Sequence, residues 1–432
     1  MTRTRLLPYL LCWLLLPALL AACAPSAEEP QPGTEFYYAY TPRLMARSVL
    51  EDAVRALPPR PLHATGKIYV QGRYVFINEP YEGIHIIDNQ NPAQPRPLSF
   101  LRIPGNVDLA LKGRLLYADS GPDLVTIDVS DPTAAVVRSR VRDAFRELPL
   151  PSGGALADAG APQNRPANAV VVGWDEQKVQ MPEPPTDDWR RVNANVLFYS
   201  ASSAANAAPA PGGGPAGRGG SLARFAVLGQ QLYTVDEQSL GLFDLTDPAA
   251  PVAGPKVTSL WGVETIYPRD HYLFLGTQRG MFIFDVAQPQ APKQLAFYEH
   301  FTSCDPVVVD DRYAYVTLRT GGRCGGGPNQ LQVIDLTTIS QPQFVKSYPL
   351  SGPRGLGVDG GQLFVCDSHG LRVFDTSQAP VLSQKQFFPV PVFDVIPNGG
   401  TLLAIGAAGL YQYRYTGRTL EPLSLLPVTP QP

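Results

Sequence analysis

The chain has 432 residues, of which 44% are hydrophobic, so there is enough apolar material for a core and a wholly disordered protein is excluded. The formal charge of −3, with only 17% charged residues, excludes general electrostatic binding to nucleic acid. Its 45 prolines and 39 glycines predict many turns and favour an all-β fold.

Residues 1–22 are typical of a secretion signal, with a positive start and a short apolar run. The run ends in LAAC, which resembles a bacterial lipobox with Cys23 at its end. The resemblance implies cleavage before Cys23, acylation of its sulfur, and a lipidated tether over residues 23–40. Because Ala24 follows, we expect the outer membrane, on its periplasmic or its surface side. A secreted protein without lipid is the alternative.

Residues 41–65 lead into the rest of the chain, and their first part predicts a short helix from Thr41 to Leu57. Thr41 can cap this helix, Pro42 suits its first turn, and two prolines after Leu57 end it. Its apolar residues recur at helical spacing, which predicts that it packs on the protein and not on a membrane.

An apolar run that ends in aspartate recurs six times, and a proline-bearing turn follows most copies. These aspartates are Asp88, Asp128, Asp244, Asp285, Asp335 and Asp375. With the strand-like segments around it, each copy forms a unit of four strands in about 40 residues, the size of one propeller blade. Seven units fit residues 66–428, which predicts an all-β, seven-bladed β-propeller of four-stranded blades.

One insertion, residues 146–221, separates the second and third units. It is rich in proline, alanine and glycine, so we expect partial disorder, and we expect residues 204–220 to be mobile and dispensable. Residues 169–172 and 196–199 look like strands, which leaves a degenerate eighth blade as an alternative.

The repeated units resemble the LVIVD-repeat family, named after an apolar run that ends in aspartate. The likeness is clearest in DLVTIDVSDP and GIHIIDNQNP, and it extends from about Gly66 to Tyr415. The chain is similar to a lipoprotein branch of this family, which implies a propeller at the cell envelope. The family supplies no catalytic residue, cofactor or ligand that transfers to this sequence.

The recurrent aspartates have a structural interpretation. Aspartate before a turn can accept hydrogen bonds from main-chain N–H groups and fix the turn. Because the six lie on different blades, they would not converge on one ion.

A second pattern concerns the residues that head the seven predicted inner strands, all of which are charged: Lys67, Asp108, Arg224, Glu264, Asp305, Arg354 and Asp394. Inner strands line the channel of a propeller, so we expect this charged ring at one mouth, with Arg354 between Asp305 and Asp394. Two interpretations stay open. The ring is either a set of ion pairs that specifies blade order or a polar site for a small ligand or ion.

The loops between second and third strands should lie on the same face as the ring. They carry mostly acidic residues: Glu79, Glu82, Asp119, Asp123, Asp236, Glu237, Arg319 and Asp367. That face is therefore the first to be tested for binding.

Three cysteines remain after the signal and Cys23. Cys304 and Cys324 lie in loops that emerge on one face of a blade, and an exported protein can be oxidised, so we predict a disulfide between them. Cys366 should be a buried free thiol. A metal shared by His300, Cys304 and Cys324 is the alternative to the disulfide.

The sequence lacks the HExxH, GxSxG, P-loop and Rossmann patterns, so no catalytic residue, metal site or cofactor is predicted. The favoured function is a non-enzymatic binding or scaffold module, monomeric and held to a membrane by the lipid, with an unknown protein or small-molecule ligand. The alternative is a calcium-dependent propeller hydrolase whose metal is held by Asp108, Glu264, Asp305 and Asp394. The three cations of the ring argue against it, because they would compete for those carboxylates.

Overall fold

The computed structural model describes residues 36–151, 154–156, 165–180, 217–301, 303, 306–321, 326–416 and 419–429. The predictions for Cys23, Cys304, Cys324 and Asp305 fall outside these residues. Of the chain's two units, one comprises Ala39–Gln177 and Phe198–Pro432 and holds the blades. The other comprises Met1–Tyr38 and Lys178–Leu197, and its described residues, 36–38 and 178–180, are strand ends.

Seven four-stranded antiparallel blades follow one another along the chain, and the sheet of the first blade is extended to six strands by one further strand at each edge. A lead-in of β1 (Phe36–Ala46), α1 (Arg47–Asp52) and β2 (Arg55–Leu57) precedes them. Blade 1 is β3 (Ile68–Gln71), β4 (Tyr74–Glu79), β5 (Gly83–Asp88) and β6 (Arg96–Arg102), and blade 2 is β7 (Leu109–Lys112), β8 (Leu115–Ser120), β9 (Asp123–Asp128) and β10 (Val136–Val141). The insertion holds β11 (Gly154–Leu156), β12 (Ala169–Gln180) and β13 (Arg218–Gly219).

The remaining blades continue without interruption. Blade 3 is β14 (Phe225–Leu228), β15 (Gln231–Asp236), β16 (Ser239–Asp244) and β17 (Val252–Val257), and blade 4 is β18 (Val263–Arg269), β19 (Tyr272–Thr277), β20 (Gly280–Asp285) and β21 (Lys293–Glu299). Blade 5 is β22 (Val307–Val309), β23 (Tyr313–Leu318), β24 (Gln330–Asp335) and β25 (Gln343–Pro349). Blade 6 is β26 (Leu356–Asp359), β27 (Gln362–Asp367), β28 (Gly370–Asp375) and β29 (Ser383–Phe388), and blade 7 is β30 (Val392–Asn398), β31 (Thr401–Gly406), β32 (Gly409–Thr416) and β33 (Thr419–Pro427).

The first strand of each blade contacts the first strands of both neighbouring blades, and β30 contacts β3, so the inner strands form a closed ring. The predicted all-β, seven-bladed propeller is therefore confirmed. We call the end of the channel where inner strands begin the upper mouth, and the end where they finish the lower mouth. The core lies between blades, as where Ile68 and Ile77 of blade 1 pack with Ile396 and Leu403 of blade 7.

The six recurrent aspartates fix the turns that follow them. In every copy a carboxylate oxygen accepts a hydrogen bond from the main-chain N–H two residues later, at 2.7–3.0 Å. The structural interpretation of this repeat is confirmed.

Hydroxyl groups link five of the seven pairs of neighbouring blades by donating to a proline carbonyl in the turn of the next blade. The pairs are Ser99 with Pro132, Tyr117 with Pro248, Tyr233 with Pro289, Tyr348 with Pro380, and Ser424 with Pro92. The last pair joins blade 7 to blade 1, so the closing interface uses the same contact as the others.

The lead-in differs from the helix expected over residues 41–57. Only Arg47–Asp52 is helical, because β1 pairs with β11 and β12 of the insertion and β2 pairs with the outer strand β6. Pairing with a segment more than a hundred residues away overrides the local helical pattern. The helix does pack on the propeller, since Leu50 is fully buried and approaches Gly121.

The insertion contributes strands but no eighth blade among the described residues. Residues 169–172 belong to β12, in the three-stranded sheet β11-β1-β12, which we call the cap sheet. Residues 196–199 and 204–216 lie outside the described part. β13 pairs antiparallel with the inner strand β3 and therefore lies in the channel, so the expectation of a mobile stretch does not hold for residues 217–220.

Candidate functional site

At the upper mouth, blades 1 to 3 bring three ring residues together. The Lys67 Nζ atom lies 2.6 Å from Oδ2 of Asp108, and the main-chain N–H of Arg224 donates to the same oxygen. The Arg224 side chain turns back to its own blade, where Nε donates to the carbonyl of Val235 at 3.2 Å. Asp108 is 2% exposed, so this contact is an internal one.

Asp119, from the second strand of blade 2, binds the main chain of the segment that carries Asp108. Its Oδ1 atom accepts the N–H groups of Val107 and Asp108 at 2.7 and 3.0 Å and the side-chain amide of Asn106 at 2.7 Å. Burial raises the pKa of Asp119 to about 6, against these hydrogen bonds. Burial also lowers the pKa of Lys67, and the neighbouring Asp108 opposes that change.

Asp394, at the head of blade 7, binds the end of the insertion. Its Oδ1 atom accepts hydrogen bonds from the hydroxyl of Ser221 at 2.9 Å, the N–H of Ser221 at 3.2 Å and the N–H of Val395 at 3.0 Å. A Cβ atom on Gly220 would lie 2.0 Å from Oδ2, so a larger residue here would have to displace the carboxylate or the segment. Burial raises the pKa of Asp394 to about 6.

The other half of the ring, on blades 4 to 6, is more open. Glu264 accepts a hydrogen bond from the Gln278 amide at 3.0 Å. The half-buried Arg319 has its pKa lowered by burial and by Arg354, and Glu264 opposes this. Arg354 is exposed, and Asp305 is outside the described residues.

Most acids of the second-to-third-strand loops point into the protein. Asp123 is fully buried between Arg47 at 2.9 Å and Arg140 at 2.8 Å. Glu79 pairs with Arg60 at 3.0 Å and with the His85 ring at 2.6 Å. These carboxylates hold loops and the lead-in in place, so the upper face is less acidic than the sequence indicates.

The cap sheet covers the loops of blades 1 and 2. Its Tyr40, Val171 and Trp174 pack with Tyr81 and Val107, which lies next to the upper mouth. The part of the upper face that the described residues leave open is therefore the side of blades 3 to 7.

That open side carries an aromatic cluster that the sequence analysis missed. Trp261, in the loop before β18, is 37% exposed and packs edge-on against Phe282 and Phe297. The Arg279 guanidinium lies 5.0 Å from the centroid of the indole ring. No spacing rule distinguishes Trp261 from a core residue, because its partners come from three different segments.

Gly220 and Ser221 fill the upper mouth beside Asp394, and the sequence did not predict this. They end a low-complexity stretch, and their only local signal is a break in composition before Arg224. Cys366 is buried in β27 as a free thiol, as predicted.

Within the described part of the chain, no three histidine, cysteine, aspartate or glutamate side chains are grouped so that they could hold a metal ion. Among the same residues, no helix has the length and apolar character needed to cross a membrane.

The sequence profile of the LVIVD repeat matches residues 105–143, which comprise blade 2 and its flanks. The LVIVD repeat recognised in the sequence is confirmed for this unit. A comparison with curated proteins gave no match.

Solved structures share the fold at low sequence identity. The periplasmic gluconolactonase PpgL of Pseudomonas aeruginosa is 14% identical, with a TM-score of 0.50 over 85% of this chain and 94% of that one. BamB from Moraxella catarrhalis is 10% identical, with a TM-score of 0.45 over 86% of this chain and 96% of that one. At 14% identity the likeness to PpgL shows the fold alone.

Proposed function

We propose that this protein is a lipid-anchored propeller of the cell envelope that acts as a non-enzymatic binding or scaffold module. The observation that carries the proposal is the state of the carboxylates at the upper mouth. Asp108 already accepts from Lys67 and from main-chain N–H groups, and Asp394 from Ser221 and Val395. The hydrogen bonds of these carboxyl oxygens therefore hold blades 1, 2, 3 and 7 and the insertion together.

The alternative, a calcium-dependent hydrolase, requires these same oxygens as ligands. Calcium takes six to eight oxygen ligands and needs several carboxylates free to turn toward it. To bind at this mouth it would have to displace the Lys67 ammonium and break the contacts of Ser221 with Asp394. Loss of buried hydrogen bonds to a charged group is costly, which disfavours the metal site.

A calcium titration tests the two functions against each other. After treatment with a chelator, the purified protein is titrated with calcium and, as a matched control, with magnesium, and the melting temperature is recorded. A ligand that binds only the folded state raises the melting temperature. Because the proposed function includes no calcium site, we expect neither ion to change the melting temperature. A rise with calcium alone, at micromolar concentration, would favour the hydrolase.

The open side of the upper face is the proposed binding surface. Tryptophan and arginine are the residue types that dominate binding energy in protein interfaces, and Trp261 and Arg279 stack there at an exposed position. We expect that a partner crosslinked to the wild-type protein in cells is lost with Trp261→Ala. Phe344→Ala, at an exposed aromatic on the outer strand of blade 5, is the matched control and should retain it. Equal crosslinking by both variants contradicts this surface.

The anchoring part of the proposal rests on the lipobox and is tested separately. We expect a palmitate probe to label the wild-type protein and the membrane fraction to contain it. Cys23→Ala should abolish both, whereas Cys12→Ala, at a cysteine inside the signal, should change neither. Labelling of the Cys23→Ala protein would show that the lipobox interpretation is wrong.

A further inference from the structure

A cleft of about 570 Å³ opens at the lower mouth, on the opposite face from the charged ring. Its wall consists of the turns between first and second strands in blades 5 and 6, the turn after the third strand of blade 6, and the end of β18. Arg218 of β13 enters it from the channel. We call this the lower cleft, and its volume is in the range of small-molecule sites.

Two opposite charges in the lower cleft have no ion-pair partner among the described residues. Arg218 donates from Nη1 to the Pro397 carbonyl at 2.7 Å, and the residue as a whole is exposed. Asp359 accepts the hydroxyl of Tyr415 on Oδ2, and Oδ1 accepts no hydrogen bond from the described residues. Arg218 and Asp359 both line the cleft. Burial raises the pKa of Tyr415, Asp359 raises it further, and Arg218 lowers it.

The other charged groups of the lower cleft already have partners within the protein. Arg312 pairs with Asp335 at 2.7 Å, and Asp310 accepts the N–H groups of Arg312 and Tyr313 and the hydroxyl of Tyr315. Arg269 contacts Asp270 and Asp311, whose side chains are 70% and 94% exposed. An exposed pair of this kind contributes little, so Arg269 can exchange its partner for a ligand.

The charges of the lower cleft also restrict which ligand fits. Its lining holds three arginines and three aspartates, so it is balanced in formal charge. A dianion would gain from Arg218 and Arg269 but would meet Asp310 and Asp359. A guanidinium such as that of Arg218 binds a carboxylate through two parallel hydrogen bonds. An ammonium group can bind a carboxylate that has an oxygen available, as Asp359 does. The cleft therefore suits a ligand that carries both groups.

We propose that the lower cleft binds a small zwitterion, of amino-acid to dipeptide size, whose carboxylate pairs with Arg218 and whose ammonium group pairs with Asp359. This site goes beyond the proposed function, because it lies on the other face of the propeller and does not depend on the lipid. The ligand joins β13 to blade 6 and therefore stabilises the strand in the channel.

Calorimetric titration of the purified mature protein with L-leucine and glycyl-L-leucine tests the proposal. Two analogues separate the charges: 4-methylpentanoate lacks the ammonium group and isoamylamine lacks the carboxylate. We expect saturable binding of at least one zwitterion and at least about tenfold weaker binding of both analogues, since each loses a charge-assisted contact. Arg218→Gln and Asp359→Asn should each reduce the affinity for the zwitterion by a similar factor.

Arg96→Gln, at an exposed arginine on the outer strand of blade 1, is the matched control and should bind as the wild type does. Unchanged melting temperatures for Asp359→Asn and Arg96→Gln show that the fold is intact. The proposal is overturned if neither zwitterion binds at millimolar concentration, if the acid alone binds as tightly, or if Asp359→Asn retains full affinity. None of these outcomes bears on the calcium or palmitate experiments.

Discussion

Two buried aspartates at the upper mouth, Asp119 and Asp394, have pKa values raised to about 6 by burial. Such a group favours folding most strongly when it is protonated. Its contribution is fully present below the pKa of the unfolded chain, about 4, and is lost as the pH rises through the folded value. The protein should therefore lose stability from this source between about pH 4 and pH 6.

Asp394→Asn should flatten that dependence. Asparagine cannot ionise, so the decline in the free energy of unfolding between pH 4 and 6.5 should shrink, by up to about 3 kcal/mol. Chemical denaturation at a series of pH values measures the slope. Asp311→Asn, at an exposed aspartate, should leave it unchanged. An equally steep decline in the Asp394→Asn protein would show that this carboxyl is already ionised at low pH.

How far the sequence predicts individual residues depends on where their partners lie. The role of Asp285 could be predicted because its partner, the N–H of Ala287, is two residues away. The contact of Asp394 with Ser221 joins positions 173 residues apart across the channel, and no local pattern encodes it. The place of Arg354 between Asp305 and Asp394 stays a prediction, because Asp305 lies outside the described residues.

At the scale of elements, the turn after each third strand is the repeated unit that fixes blade geometry. Its aspartate bonds one main-chain N–H in all six copies, and a proline carbonyl in the same turn accepts a hydroxyl from the preceding blade in five interfaces. One short motif thus ends a strand and also joins two blades.

Asp285→Ala should destabilise the protein by about 1 kcal/mol, because the N–H of Ala287 then loses the carboxylate oxygen to which it donates. The turn is partly exposed. Asp285→Asn keeps an oxygen acceptor and should recover most of the loss. Urea unfolding of the two variants beside the wild type measures both effects. If both variants lose the same amount, the charge and not the hydrogen bond is what the turn requires.

Elements outside the repeat were the ones that the sequence predicted poorly. The apolar spacing of residues 41–57 indicates a helix, yet β1 occupies its first six positions because β11 and β12 offer strand partners. β13 has only two residues and lies in a stretch of glycine and alanine, so its pairing with β3 depends on the channel that surrounds it.

For the whole molecule, closure of the ring depends on contacts between the two ends of the propeller. Leu62 forms a parallel bridge with Val428, the N–H of Thr429 donates to the Leu62 carbonyl, and Thr65 donates to Gly406. Every blade is built from four strands that are consecutive in the chain, so the two ends of the propeller do not combine in one blade. The ring therefore closes through side-chain packing and these short bridges. The repeat period predicted the blade number, but it carried no information on how the ring closes.

The channel strand should matter to the stability of the whole ring. Gly220→Ala places a methyl group against the carboxylate of Asp394 and should cost about 1–3 kcal/mol through overpacking. Gly326→Ala, where a Cβ atom would meet nothing within 4 Å, is the matched control and should be neutral. Thermal unfolding compares the two. A neutral Gly220→Ala would mean that the segment can leave the mouth at little cost.

The strand that lies in the channel also bears on how this ring can change its size. β13 contacts blade 1 by main-chain pairing, and the residues around it reach Pro397 and Asp394 of blade 7 and Leu111 of blade 2. A ring with one blade fewer would narrow the bore and expel the strand, and a ring with one blade more would leave it without contacts on one side. Gene duplication or loss of a single repeat, the usual way in which repeat proteins change length, would therefore be selected against here. The non-repeated segment holds the number of repeats constant.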